Sequence, residues 1–139
     1  MSLNRAWTEG NVTGIAKLLG FRMTLSELNH TIVEFEAGPQ HANPMGTLHG
    51  GVFCDLADAA MGTAWVTGLK EGETCTTIEL KINYFRPVWS GKLTAEARVV
   101  RRGQTLGYVE CDVRDAEGKL VAKSSSTLMT LRDHRGAGR

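Results

Sequence analysis

The hydrophobic positions of this chain change period partway along it, and the change predicts the elements. Between Gly10 and Leu19, Val12, Ile15, Ala16, Leu18 and Leu19 fall at roughly helical spacing, which predicts a short helix ending near Gly20. Two short runs follow, Phe21 to Leu28 and Thr31 to Ala37. The second alternates through Val33, Phe35 and Ala37; joined at Asn29-His30, the two read as a hairpin. The stretch from Gly38 to Leu48 carries Pro39 and Pro44 and reads as irregular loop. A long helix is expected from about Gly50 to Thr67, apolar or small nearly all round yet carrying Asp55 and Asp58. Within it Gly62 costs about 1 kcal/mol relative to alanine, a cost that close approach to a sheet would offset.

Beyond a turn at Gly68 to Glu73 the period drops to two. Ile78, Leu80, Ile82 and Tyr84 alternate with Thr77, Glu79, Lys81 and Asn83, and Leu93, Ala95, Ala97 and Val99 alternate with Lys92, Thr94, Glu96 and Arg98. Val109, Cys111 and Val113 follow, then a run from Leu120 to Leu131, with turn chemistry at Pro87 to Gly91, Arg102 to Thr105 and Asp115 to Lys119. The expected order is helix, hairpin, long helix and a meander of four strands. Its simplest packing is an antiparallel sheet curling round the apolar helix, an α+β architecture. A helix apolar on every side also asks for a second protomer where one small sheet leaves it uncovered.

Composition narrows the function classes. The length of 139 residues fits one domain, and a formal net charge of +1 gives no reason to expect nucleic acid as a partner. Cys54, Cys75 and Cys111 are odd in number and in no paired-ligand spacing, which argues against a disulfide framework or a metal site and for free thiols in a reducing compartment. The N-terminal Met1 to Trp7 lacks the apolar core of a signal peptide, and Asp55 and Asp58 interrupt the longest apolar stretch, so no membrane span is expected. A cytoplasmic protein is the expectation, with residues 1–20 a helical N-terminal segment and residues 132–139 a flexible basic tail.

Candidate chemistry concentrates where the loop His41 to Leu48 runs through His49, Gly50 and Gly51 into the long helix. A helix N-terminus presents free backbone N–H groups able to hold developing negative charge, and glycine lets a ligand approach the backbone closely. A carboxylate on an otherwise buried helix is costly unless it has a partner or a task. Asp55 and Asp58 are three residues apart and share a face, so periodicity alone does not choose between them. His49, at the helix entrance, fits either a proton-transfer role or the orienting of the loop and substrate.

These residues carry a resemblance. Asn43, Gly46, Leu48-His49-Gly50-Gly51 and Leu56-Ala57-Asp58, with Thr76-Thr77-Ile78-Glu79-Leu80, Phe85-Arg86-Pro87 and Arg102-Gly103-Gln104-Thr105-Leu106, resemble the PaaI-like branch of the hotdog-fold acyl-CoA thioesterases, which includes one type of 4-hydroxybenzoyl-CoA thioesterase. The resemblance covers most of the chain from Phe21 to Leu131. It implies a sheet wrapped round a central helix and hydrolysis of an aryl- or medium-chain acyl-CoA, without metal or added cofactor. It implies assembly as homodimers, with tetramers as dimers of dimers. Carried over residue by residue, Gly50 would donate its N–H to the thioester carbonyl and Asp58 would be nucleophile or general base. Asn43 would place water or thioester, and Thr77 would sit near the acid. His49 and Gly51 would contact substrate, and Arg86, Arg101 and Arg102 are candidates for the coenzyme phosphates, with Lys123 and Arg132 behind them.

Spacing adds a geometric consequence. Eight helical residues rise about 12 Å, so Asp58 does not easily act at the Gly50 of its own chain. Either another group holds the carbonyl, or Gly50 of one protomer faces Asp58 of its partner across a symmetric interface. Two rival functions remain at this stage. A hotdog enoyl-thioester hydratase or dehydratase would need a histidine–acid pair, and the Asp-x-Asn-Pro-x-His pattern is absent. A non-catalytic acyl-CoA-binding protein would need an attached output segment.

Overall fold

In the computed structural model, which describes residue 12 and residues 14–132, a short helix α1 (Gly14–Leu19) leads into strands β1 (Arg22–Glu27) and β2 (His30–Ala37). One 3-10 turn (Pro39–His41) gives the following loop a regular element that its two prolines did not predict. Then come helix α2 (Gly50–Val66) and strands β3 (Thr74–Tyr84), β4 (Gly91–Arg102), β5 (Leu106–Arg114) and β6 (Leu120–Leu131). Residues 1–11 and 13 of the expected N-terminal helical segment, among them Gly10, Asn11 and Thr13 of the expected first helix, and residues 133–139 of the expected tail lie outside the described residues. The hairpin closes on Leu28 and Asn29, with Asn29 at φ 63°, a left-handed conformation asparagine tolerates. His30 is therefore strand rather than turn.

The strands form one antiparallel sheet in the order β1-β2-β4-β5-β6-β3. This corrects the expected four-strand meander: β3 does not pair with β4 but lies at the far edge against β6, from Thr74↔Leu131 to Tyr84↔Ala122. The connection through residues 85–90 is committed elsewhere. Phe85 N–H donates to the Val121 carbonyl at 2.8 Å, the Val88 carbonyl accepts from Leu48 N–H at 2.6 Å, and Pro87 has no N–H to give a hairpin ladder. The segment thus crosses the sheet end and lies against the loop that precedes α2.

A second correction lies inside β3. Strict alternation puts Thr77 on the opposite face from Leu80, Ile82 and Tyr84. The pairing instead steps from Thr77↔Leu128 to Glu79↔Thr127, leaving Ile78 as a bulge. One extra residue reverses the phase of a strand, so Thr77, Leu80, Ile82 and Tyr84 all face α2. The buried Ser126 hydroxyl donates to the Glu79 carbonyl at 2.8 Å and anchors the bulge.

The core lies between α2 and the concave face of the sheet. Leu56, Ala57, Ala60, Met61, Ala64 and Trp65 pack against residues such as Phe35, Leu93, Ala97, Val109, Val113 and Leu128. Alanines keep the helix close enough for direct bonds to the sheet: Thr31 Oγ1 donates to the Ala60 carbonyl at 2.7 Å, and Trp65 Nε1–H donates to Thr130 Oγ1 at 3.1 Å. The other face of α2 is open. Gly51 and Asp55 are exposed, and a Cβ placed on Gly62 would meet nothing within 4 Å. Within one protomer, then, the close approach expected at Gly62 is absent.

Candidate active site

The loop before α2 is built by its own polar groups. Buried His41 accepts from Gly38 N–H on Nδ1 at 3.0 Å, packs edge-on against Phe35, and offers its carbonyl to His49 N–H at 2.9 Å. Inside that closure Asn43 ties a tight turn. Its Oδ1 accepts from Met45 N–H at 2.9 Å and Thr47 N–H at 3.2 Å, and its Nδ2 donates to Thr47 Oγ1 at 2.9 Å. Gly46 completes the turn at φ 91°, which favours glycine. Asn43 thus shapes the loop, with one amide hydrogen still to give.

His49 is the N-cap of α2, its Nδ1 accepting from Gly51 N–H at 2.9 Å. That bond commits the second glycine's amide to the chain itself. The first amide differs: Gly50 N–H, at the first helical position, has no acceptor among the described residues. Gly50 lines a cleft of about 310 Å³ together with Leu48, Phe53, Tyr84, Phe85, Arg86 and Val88, among others. Gly50's own carbonyl accepts from the Tyr84 hydroxyl at 2.7 Å.

Two turns further along α2, half-buried Asp58 accepts from Thr77 Oγ1 at 2.9 Å. The contact exists because the bulge turns Thr77 toward the helix. Asp55 sits on the open face, its carboxyl held above the usual range by partial burial and then by the charge of Asp58. Only Asp58 of the two receives a hydrogen bond from the sheet, which is the distinction that periodicity did not make.

The basic candidates separate. Arg86 lines the Gly50 cleft. Arg101 pairs across from Tyr108 on the outer face of the sheet. Arg102 closes the far end of α2: it donates to the Trp65 carbonyl at 2.9 Å, stacks 4.0 Å over the Trp65 ring, and bonds Asn29 Oδ1 at 2.7 Å. Arg102 and Arg132 share a polar cavity of about 360 Å³ with Lys70 and Glu73, with Arg132 bonded to Glu73. Lys123 is on the outer face, paired with Asp112 at 2.8 Å and Glu110 at 3.4 Å. The residue that the sequence reading passed over is Tyr84, visible there only as one more alternating strand position.

Among the described residues, no group of three or more His, Cys, Asp and Glu side chains is arranged to hold a metal ion, and Cys54, Cys75 and Cys111 are free. No described helix is long and apolar enough to cross a membrane.

Residues 45–122 match the thioesterase superfamily. Human acyl-coenzyme A thioesterase 13 is 31% identical over 98 residues, which is 69% of each chain. The crystal structure of a thioesterase from Haemophilus influenzae superposes with a TM-score of 0.85 at 28% identity, covering 91% of this chain and 90% of that one. A phenylacetic acid degradation-related protein of Ralstonia eutropha JMP134 superposes with a TM-score of 0.84 at 26% identity, covering 93% of this chain and 99% of that one. With a free amide at the helix start, a hydrogen-bonded acid and a sheet wrapped round one helix, the chain belongs to the thioesterase superfamily: it is a PaaI-like thioester hydrolase of the hotdog fold.

Proposed function

We propose that the protein hydrolyses an aryl- or medium-chain acyl-CoA to the free acid and coenzyme A, with Gly50 of one protomer and Asp58 of its partner forming each site. The single observation that carries this reading is the separation of the two groups. An unpaired helix-start amide and a Thr77-held carboxylate stand eight helical residues, about 12 Å, apart in one chain. Asp58 lies beneath β3, an eleven-residue strand whose outer edge is unpaired, so a second copy pairing there would bring its own loop-to-helix junction to the acid. The small residues and open face of α2 leave room for it.

In the reaction the thioester oxygen takes the electron pair of its carbonyl and is held by Gly50 N–H at the positive end of the helix. Asp58 either removes a proton from the attacking water or attacks the carbonyl carbon itself, giving an anhydride that water then opens. The thiolate of coenzyme A leaves and takes up a proton. Asn43 keeps the loop in shape and has a hydrogen left for substrate. Arg86, beside the cleft, meets the coenzyme phosphates first. Arg101 and Arg102 are weaker candidates, since Arg102 already serves the helix end. Free cysteines fit a cytoplasmic setting, and homotetramers would arise as dimers of dimers.

The test is a thiol-release assay over aryl and fatty acyl-CoAs. Asp58→Asn is expected to lower kcat by about a hundredfold or more with folding intact. A variant with near-normal turnover overturns the assignment. Single turnover in ¹⁸O-water tests the nucleophilic route with water opening the anhydride at the Asp58 carbonyl carbon, since that route alone labels the Asp58 carboxyl.

A further inference from the structure

Two hydroxyls on β3 meet α2 at the two places the reaction uses. Thr77 donates to Asp58 at 2.9 Å, and Tyr84 donates to the Gly50 carbonyl at 2.7 Å. The second contact is a close one. A Cβ built on Gly50 would lie 3.0 Å from the Tyr84 hydroxyl oxygen and 3.2 Å from Cζ, so the tyrosine stands where a side chain at Gly50 would go. The ring is itself placed by packing, edge-on to buried Phe53 at 5.5 Å, and Cys54 Sγ lies 3.5 Å from the same hydroxyl. Partial burial of this half-exposed side chain, and then Cys54 beside it, push the phenol up to about 12, so it remains a donor through the whole neutral range.

Gly50 needs such a contact. Glycine has the widest backbone freedom of any residue; the His49–Gly50 peptide that carries the amide is held on its carbonyl by Val52 N–H at 3.0 Å, and the next peptide is held on its carbonyl by Tyr84. On the far side His49 holds the amide of Gly51. We propose that Tyr84 is a positioning residue for the oxyanion donor: by holding the Gly50 carbonyl, its hydroxyl fixes the Gly50–Gly51 peptide and with it the Gly50 dihedral angles, on which the presentation of Gly50 N–H, one peptide back, depends. The inference rests on the hydrolase reading above and adds a residue to it.

The experiment compares wild type, Asp58→Asn and Tyr84→Phe on one acyl-CoA. It also measures their binding of two coenzyme A analogues, a ketone that keeps the carbonyl and a thioether that lacks it. For Tyr84→Phe, kcat is expected to fall about tenfold, part of what losing an oxyanion donor outright costs, with KM changed less than about twofold. Ketone affinity should fall severalfold while thioether affinity and melting temperature hold. Unchanged kcat and ketone affinity overturn the proposal. So does a loss of both affinities together with melting temperature, which marks a packing role alone. If wild type releases no thiol, or Asp58→Asn is as active as wild type, the Gly50–Asp58 site proposed above falls and this inference with it. If those two behave as expected and only Tyr84→Phe does not, the role of Tyr84 alone is lost.

Discussion

At the scale of single residues, the helix entrance assigns a different task to each member of His49-Gly50-Gly51. His49 Nδ1 caps the helix through Gly51 N–H, which leaves Gly50 as the amide free to meet a ligand. A capping bond is worth about 1 kcal/mol. His49→Ala is therefore expected to lower unfolding free energy by about that amount in a denaturant melt, and His49→Asn, which can cap, to restore most of it. If alanine and asparagine destabilise equally, the capping role is wrong. The glycines were legible as close-approach positions and the resemblance named Gly50 as the donor, but no spacing shows which of the two amides is free, because that depends on a histidine rotamer. Choosing Asp58 over Asp55 needed the family offset, since helical periodicity treats the pair alike. In the structure the two acids differ in surroundings, Asp58 alone of the pair being hydrogen-bonded by Thr77.

At the scale of elements, packing around Trp65 fixes the C-terminal end of α2. Near its C-terminus Trp65 is fully buried, bonded to Thr130 and covered by Arg102, and Gly107 of β5 lies directly against its ring. A Cβ on Gly107 would stand 2.2 Å from two Trp65 ring carbons and 2.5 Å from the Arg101 carbonyl oxygen. Gly107→Ala is thus expected to cost about 1–3 kcal/mol by overpacking, read as a shifted denaturant midpoint at constant slope. A midpoint equal to wild type would mean the indole is free to move. The strands themselves were legible from their alternation, and the helix from its length and composition. The bulge at Ile78 was not, because one inserted residue looks the same as a regular strand in a pattern of apolar letters. Its consequence is large: it carries Thr77 from the outer face to the acid.

At the scale of the whole molecule, β3 is both the scaffold of the site and an open edge. It holds Asp58 through Thr77 and Gly50 through Tyr84, while its other edge offers unpaired backbone groups. An unprotected strand of eleven residues is a pairing surface. On the reading that two copies pair there, wild type is expected to sediment as a dimer or larger. Ile78→Lys, at the exposed bulge, should shift it toward monomer and remove thiol release in parallel, with circular dichroism unchanged. A monomeric variant with full activity would show that one chain holds a whole site.

What the amino-acid sequence determined by itself is local. The period of the apolar positions specified helix and strands, because contacts between residues two, three or four apart set those patterns. The run from Asn43 to Asp58 marked the candidate chemistry, since a glycine-led helix start and an acid on an apolar helix are unusual together. Tertiary structure decided everything that rests on pairing distant segments. It sent β3 to the far edge beside β6, turned Thr77 inward, brought Tyr84 onto Gly50, and set Arg102 against the end of α2 while leaving Arg86 at the cleft. Strand register shifts in steps of one residue, and each step reverses the face of a side chain. Only the packed sheet and helix select among those steps, so the geometry of the site belongs to the fold even where its residues are written in the chain.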